Sequence, residues 1–285
     1  MKPDLIIFPS EPFSPNKPEP DFQEQIQAAE EAGFAVGLVD TDEGTCRVPG
    51  EGRALYRGWM LDYDGYQSMG RLLSRKGVEL LTSPEAYLLC HHLPGWYHRL
   101  KEETPRSVVF EGAQFSPQTL RDNLGTGSAI VKDYVKSAKH YWDEACFIPS
   151  LADEEAVQKV VDRFLEIRGE FLEGGLVFRE FLPLLPLGRH AKSGMPLTLE
   201  YRLFFFAGRL LASEKYWEDV DYPEIEPPWE HFKKLAGMIE SPFFTMDIAC
   251  DTDKRWWVME LGDGQVAGLQ RIEAGEFYRS LADGQ

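Results

Sequence analysis

Four separated stretches of this sequence carry side chains suited to gripping a polyanion and its counter-cation. The first is Ile130-Val131-Lys132-Asp133-Tyr134-Val135-Lys136-Ser137-Ala138-Lys139-His140. Read as a strand over 130–136, it places Ile130, Lys132, Tyr134 and Lys136 on one face, because alternate residues of a strand share a face. Two cations on one face of an apolar strand are costly unless something anionic meets them, and phosphate groups would. An edge strand with solvated lysines is the alternative. The second stretch, Phe178-Arg179-Glu180-Phe181-Leu182, leaves a strand and runs into Pro183 to Pro186. Its free backbone groups could hydrogen-bond an adenine edge, or it is a plain strand end.

The third is Glu200-Tyr201-Arg202 at the head of an apolar strand. Arg202 could clamp a transferring phosphoryl group through its planar fork of donors. A surface pair between Glu200 and Arg202, worth little, is the other reading. The fourth is acidic: Asp247 in Met246-Asp247-Ile248, and Glu260 with Asp263 in Glu260-Leu261-Gly262-Asp263-Gly264-Gln265. Carboxylates set into apolar strands rarely lack a partner. Hard oxygen ligands brought together across a hairpin suit Mg²⁺, which keeps waters and bridges to phosphates. Each acid taken singly could instead be a strand-end or turn residue.

These side chains need elements to carry them. Residues 4–8 read as a strand, followed by a Pro-rich loop from Pro9 to Pro20. Asp21 and Glu24 resemble a capping box, Phe22, Ile26 and Ala29 recur at helical spacing, and Gly33 fits a helix stop. With a strand from Phe34 to Val39 this makes a β–loop–α–β unit and favours a parallel sheet. Arg53 to Trp59 and Glu79 to Leu81 read as short strands, and Tyr66 to Lys76 and Pro84 to Leu89 as helices. A linker-like run from Lys101 to Pro105 marks a boundary between residues 1–104 and 105–285. Beyond it, Ser107 to Phe110 and Ala129 to Val135 are strand-like. Asp153 to Leu172 is an amphipathic helix, with Val157, Val160, Val161, Phe164, Phe171 and Leu172 on its apolar side and Gly174-Gly175 ending it. Strands are expected at Leu176 to Phe181, Leu197 to Phe206, Gly208 to Ser213, Phe243 to Ala249 and Arg255 to Leu261, with a helix from Trp229 to Ile239.

Composition narrows the classes. The 285 residues are 43 % hydrophobic and 27 % charged, a globular balance, and the formal net charge is −17. A field of that sign repels phosphate backbones and argues against broad nucleic-acid binding. It leaves a local basic pocket free to act, since screening removes distant charges beyond about 8–10 Å. No apolar stretch approaches the roughly 18 residues that span a bilayer, and the N-terminus lacks a signal-peptide core. Cys46, Cys90, Cys146 and Cys250 form no CxxC pair, so the expectation is reduced thiols in a cytoplasmic protein, without zinc or a disulfide framework. His91, His92 and His140 read as structural or surface residues. Gly125-Thr126-Gly127-Ser128 lacks the ending of a P-loop, and the Lys-x-Asp-Gly signature of covalent nucleic-acid ligases is missing.

Taken in order, lysines on a strand, a helix, a Glu-containing hinge, a strand Arg, an Asp strand and a Glu strand resemble the ATP-grasp superfamily. The similarity is closest to its R2K clade, named for one Arg and two Lys, and covers about residues 105–270. The Val-Lys-Asp-Tyr-Val-Lys-Ser-x-Lys and Glu-Leu-Gly-Asp-Gly-Gln runs carry most of it. Tyr56-Arg57-Gly58-Trp59-Met60 is also similar to this clade, with no mechanism attached.

The resemblance implies two α+β subdomains clasping ATP, preceded by a small α/β N-terminal domain. It implies Lys132 on the phosphates, with Lys136 or Lys139 as the second lysine, and Glu180, Phe181 and Leu182 on the adenine. Arg202 would face the γ-phosphate, and Asp247 and Glu260 would hold one or two Mg²⁺. Where the superfamily often has Asn two residues after the metal-binding Glu, this chain has Gly262, and Asp263 is expected as the substitute. Ser137 to Glu144 would be a mobile loop over the phosphates. The implied chemistry is phosphoryl transfer from ATP to a carboxylate of a small molecule or peptide, then attack by an amine or thiol, releasing ADP and phosphate. A non-catalytic ATP-binding or interaction protein on the same fold, and a phosphotransferase acting on a hydroxyl, are the alternatives. Oligomeric state is not legible.

Overall fold

The run Leu5-Ile6-Ile7-Phe8 is apolar at every position and wholly buried, the pattern of a strand covered on both faces. In this computed structural model, which describes residues 2–12, 14–190, 194–217 and 220–283, it lies at the heart of the first sheet. The amino-terminal elements are β1 (Leu5–Glu11), β2 (Ser14–Pro18), α1 (Gln23–Glu31), β3 (Ala35–Asp40), β4 (Thr45–Arg47), β5 (Gly52–Tyr56), α2 (Tyr63–Ser74), β6 (Val78–Leu80), α3 (Pro84–His91) and α4 (Leu93–Leu100). The strand order is β4-β3-β1-β5-β6, with β2 paired to β1. Strands β3, β1, β5 and β6 run parallel, as the β–loop–α–β reading requires.

A second layer follows: β7 (Ser107–Val109), α5 (Pro117–Leu124), β8 (Ala129–Lys132), α6 (Trp142–Ala145), β9 (Phe147–Ile148), α7 (Glu154–Arg168) and β10 (Val177–Glu180). Its antiparallel sheet has the order β7-β10-β8-β9. Helix α7 starts where the Asp153 carboxylate accepts the Ala156 N–H. Its stripe of Val157, Val160, Val161 and Phe164 packs onto Ala129, Val131 and Phe178 of the sheet.

The third part comprises β11 (Pro186–Arg189), β12 (Pro196–Thr198), β13 (Glu200–Phe206), β14 (Arg209–Lys215), α8 (Trp229–Ala236), β15 (Phe243–Cys250), β16 (Trp256–Asp263) and α9 (Ala274–Asp283). Its main sheet has the antiparallel order β14-β13-β15-β16. One face sends Leu203, Phe205, Met246, Ile248 and Leu261 into a core shared with α8 and with Leu93, Trp96 and Leu100 of α4. On the other face, Phe204, Phe206 and Phe243 pack with Phe277 and Tyr278 of α9 against Ile6 and Phe8 of the first sheet. The polar end of that second face is left for the cleft described below.

Several local expectations are corrected. The strand expected over residues 130–136 ends at Lys132, because Asp133 turns the chain. Asp21 does not cap α1: it sits in a 3₁₀ turn, Pro20–Phe22, and Phe22 holds the cap position without a side-chain bond. The long helix stops at Arg168 on Gly169, whose φ of 50° suits glycine, not at Gly174-Gly175, and Phe171 is 72 % exposed instead of buried. The single strand expected from Leu197 to Phe206 is split at Leu199 into β12 and β13. Helices α4, α5, α6 and α9 lie outside the sequence expectations, and a 3₁₀ turn (Lys139–Tyr141) and most of α6 occupy the segment Ser137 to Glu144 expected as a loop. All four cysteines are free, and no helix among the described residues is long and apolar enough to cross a membrane.

Candidate functional site

The second and third layers face each other across a cleft of about 650 Å³, within the range of small-molecule sites. Strand alternation decides what lines it. Ala129 and Val131 of β8 point into the α7 core, so Ile130 and Lys132 point out of it and border the cleft. On the opposing sheet, β13 pairs Arg202 with Asp247 of β15, and β15 pairs Asp247 with Glu260 of β16. Cation and acids thus stand in a row across three strands.

Two ion pairs neutralise the row. Lys132 Nζ donates to Glu260 Oε1 at 2.8 Å and bridges the two sheets. Arg202 donates through Nε and a terminal nitrogen to both oxygens of Asp247, at 2.8 and 2.7 Å, and its guanidinium lies 5.0 Å from the centre of the Tyr216 ring. The surface pair of Glu200 with Arg202 does not form; Glu200 accepts from the Thr198 hydroxyl instead. Burial alone would raise the Glu260 pKa, but Lys132 and Lys139 outweigh it and pull the carboxyl down to about 2. Burial likewise opposes the charge on Arg202, and Asp247 holds that guanidinium above its ordinary range. Lys132 is lowered, burial being the larger influence and Glu260 the main counterweight.

The remaining lysines reach the cleft by a turn. Asp133 is fully buried; its Oδ1 accepts the Val135 and Lys136 N–H groups, and its Oδ2 accepts Arg168 Nε at 2.8 Å. The chain doubles back so that Ser137 bridges to Lys132, and Lys136 and Lys139 both border the cleft. Lys136 is exposed and Lys139 half-buried. Burial works against the Lys139 charge, yet Tyr216, Glu260 and Glu200 hold its pKa above the ordinary value.

At the end of β10 the side chain and backbone divide their tasks. Both Glu180 oxygens are taken by Arg106, through its backbone N–H and its Nε, each at 2.8 Å. The Phe181 N–H donates to the Ser128 carbonyl at 3.0 Å. The Leu182 N–H and the Phe181 carbonyl have no partner among the described residues. Phe181 packs edge-on against Phe147 and Trp142, which stack at 9° on each other. The wall there is aromatic, with one free donor and one free acceptor adjacent in the chain, a pattern that matches a flat heterocycle with both on one edge.

Asp263 also borders the cleft, but alternation along β16 turns it to the face opposite Glu260, and it is not brought together with Asp247 and Glu260. Its Oδ1 accepts from the Gln265 backbone and side chain at 2.9 and 3.0 Å, while Oδ2 is buried without a partner. Burial, opposed by Gln265 and Arg57, pushes its pKa up to about 7. The same loop explains Tyr56-Arg57-Gly58. Arg57, 2 % exposed, donates to the Gly264 and Ala267 carbonyls and to Gln25. The Tyr56 N–H donates to Gln265 Oε1 and the Gly58 N–H to the Gln265 carbonyl. The amino-terminal sheet therefore grips the loop that follows Glu260.

Three residues that sequence reasoning did not single out also belong to the cleft. Arg179, 4 % exposed, ties the two sheets by donating to the Met259 carbonyl, Ser107 and Thr104, and burial lowers its pKa to about 10. A basic residue inside an apolar strand was the available signal. Thr245 lies two residues before Asp247 on the same face. His91, read as structural, is buried on the Tyr87 ring and borders the cleft with its Nε2 unpaired.

Asp247 and Glu260 fit a hard divalent cation: they are opposed across one strand pair and open to the same cleft. Among the described residues, no group of three or more His, Cys, Asp or Glu gathers that could hold a metal. A cation here would rest on two carboxylates plus neutral oxygens and ligand phosphates.

The geometry agrees with comparisons to known proteins. Residues 123–281 match the family model "ATP-grasp domain, R2K clade family 3". No curated protein matches the sequence. Among solved structures, D-cycloserine synthetase DcsG is similar with a TM-score of 0.63 at 14 % identity, over 98 % of this chain and 99 % of that one. ATP-grasp ligase PsnB, complexed with minimal precursor, Mg and ADP, gives 0.59 at 14 % identity, over 98 % and 97 %. Macrocyclase MdnC bound with precursor peptide MdnA, from Microcystis aeruginosa MRC, gives 0.60 at 12 % identity, over 99 % of each chain. At such identities the likeness is one of fold, and it extends over the amino-terminal sheet as well.

Proposed function

Because this chain belongs to the ATP-grasp domains of R2K clade family 3, we propose that it is an ATP-dependent ligase that activates a carboxylate for attack by an amine or thiol. The observation that carries this reading is the convergence of Lys132, Lys139, Arg202, Asp247 and Glu260, from four distant stretches, on one cleft. On this reading ATP lies between the two sheets. The free Leu182 N–H and Phe181 carbonyl take the adenine edge beside Trp142. Glu180 acts indirectly, since Arg106 occupies its carboxylate. Lys132, Lys136 and Lys139 receive the phosphates, and Arg202 faces the γ-phosphoryl group.

Mg²⁺, when bound by Asp247 and Glu260, supplies charge neutralisation across the phosphates. The chain's own groups then do positioning and electrostatics. A carboxylate oxygen of the substrate bonds to the γ-phosphorus as the bond to the ADP oxygen breaks. The cations that face the phosphates stabilise the charge that develops there. The nucleophile then adds to the acyl carbon, loses its proton, and phosphate leaves. The solved relatives named above include a peptide-bound ligase and a small-molecule synthetase, so the acyl substrate is proposed as a carboxylate of either class.

The test is trapping with hydroxylamine, which converts an acyl phosphate to a hydroxamate. Protein, ATP, Mg²⁺ and pooled carboxylates with hydroxylamine should yield ADP, phosphate and a hydroxamate. Release of AMP and pyrophosphate would refute the acyl-phosphate route. Gly262, with no side chain beside the acidic pair, favours a second reading: a non-catalytic ATP-binding protein. It predicts nucleotide binding without turnover under every mixture. ADP with a stable phosphorylated alcohol would indicate the phosphotransferase alternative.

A further inference from the structure

Two carboxylates are a sparse protein contribution to a divalent site, and the strand register shows what stands beside them. Thr245 is opposite Gly262 across the β15–β16 pair, next to the opposed Asp247 and Glu260. Residues 245 and 247 share a face, as do 260 and 262, so all four positions look into the cleft. A Cβ built on Gly262 would meet Thr245 Oγ1 at 2.8 Å, so the threonine hydroxyl fills the space a side chain at 262 would take. Thr245 is only 2 % exposed and borders the cleft. Its hydroxyl has no hydrogen-bond partner among the described residues.

A hydroxyl that borders the cleft without a protein partner is free to meet a guest there. A neutral oxygen beside two carboxylates suits Mg²⁺, for which a threonine or serine hydroxyl is an accepted ligand in other phosphate-binding sites. The geometry points to Thr245 Oγ1 as the third protein oxygen of the divalent-cation site, with Gly262 kept small to admit it. The inference rests on the ATP-site reading above and assigns a residue that reading does not use.

The experiment titrates Mn²⁺ by electron paramagnetic resonance into the full-length protein with a non-hydrolysable ATP analogue. Metal-free analogue binding is measured in parallel. Thr245→Val keeps the shape and removes the oxygen; it should weaken Mn²⁺ by about tenfold or more, as loss of a supporting ligand does. Thr245→Ser should stay within about twofold of the parent protein, the hydroxyl being kept. Metal-free analogue affinity should be unchanged in both. The double change Thr245→Ala with Gly262→Asn, which puts an amide oxygen into the vacated space, should regain much of the Mn²⁺ affinity. Thr245→Val binding Mn²⁺ as tightly as the parent, or losing the analogue equally with and without metal, overturns the assignment while leaving the ATP site standing. Failure of the parent protein to bind Mn²⁺ with the analogue overturns both.

Discussion

Arg202 and Asp247 have side chains 14 % and 7 % exposed, so their pair is held largely away from solvent. Removing one member of such a pair strands the other. Arg202→Met should therefore cost about 3 kcal/mol of stability, seen as a lower urea midpoint. Adding Asp247→Leu should recover most of that loss, because an apolar pair of similar volume is tolerated, although neither variant will bind Mg–ATP. Two other carboxyls make opposite pH contributions. Glu260, depressed to about 2 in the fold from an ordinary 4.5, supports stability above that ordinary value and loses its support as pH falls toward 2. Asp263, raised from 3.8 to about 7, binds more protons in the folded state, so its contribution is fully present in acid and declines as pH rises from 3.8 through 7. Melting temperatures from about pH 4 to about pH 8 should show that decline in the parent protein, and Asp263→Asn should remove it. An unchanged profile in the variant would refute the assignment.

At the scale of elements, the turn after β8 decides where two lysines go. The Asp133 side chain meets the cleft residues Val135 and Lys136 only through their backbone N–H groups, yet it sets the course of residues 133–139. Asp133→Ala should take an acceptor from Arg168 Nε and from the Val135, Lys136 and Glu173 N–H groups, lower stability by about 3 kcal/mol, and weaken nucleotide binding measured by calorimetry. Asp133→Asn should retain part of both. A stable Asp133→Ala protein with parental nucleotide affinity would show that the turn holds without it.

This turn also marks where the sequence stopped being legible. The lysine spacing was readable as a strand face, and Lys132 does point into the cleft for that reason. The Asp133 interaction runs to Arg168, 35 residues away, and no local period encodes it. The acidic row was visible because Asp247 and Glu260 interrupt apolar strands at positions that pair. Asp263 misled because it sits an odd number of residues from Glu260, and alternation sends it to the other face. Thr245 was masked by ordinary strand composition, whereas Arg179 left a signal, a basic residue inside an apolar strand. Helix α4 drew no expectation; Pro94 and Gly95 stand in its first turn, where Pro is well tolerated.

Across the whole molecule, the amino-terminal sheet is joined to the acidic loop by Arg57, which donates to Gly264, Ala267 and Gln25. Arg57→Met should raise hydrogen exchange at residues 262–268 and weaken nucleotide binding severalfold, with the remote β7–β10 sheet unaffected. Uniform exchange increases across the chain would mean global destabilisation instead. The proposed division after residue 104 faces a stringent test, since Trp96 and Leu100 belong to the same core as Leu203 and Phe244. Residues 105–285 expressed alone should be insoluble, whereas a start near residue 84 that retains α3 and α4 should behave better.

The crossed pairing of Lys132 with Glu260 and Arg202 with Asp247 makes the resting cleft its own counter-ion. An anion that draws on Lys132 or Arg202 pulls it from its acid and leaves that acid stranded, and a lone metal ion does the reverse at Glu260 and Asp247; Lys136 and Lys139, which form no ion pair among the described residues, stand outside this exchange. A guest bearing both signs exchanges both partners in one step. On the proposed reading, these two pairs favour a metal and a phosphate chain that arrive together over either one alone.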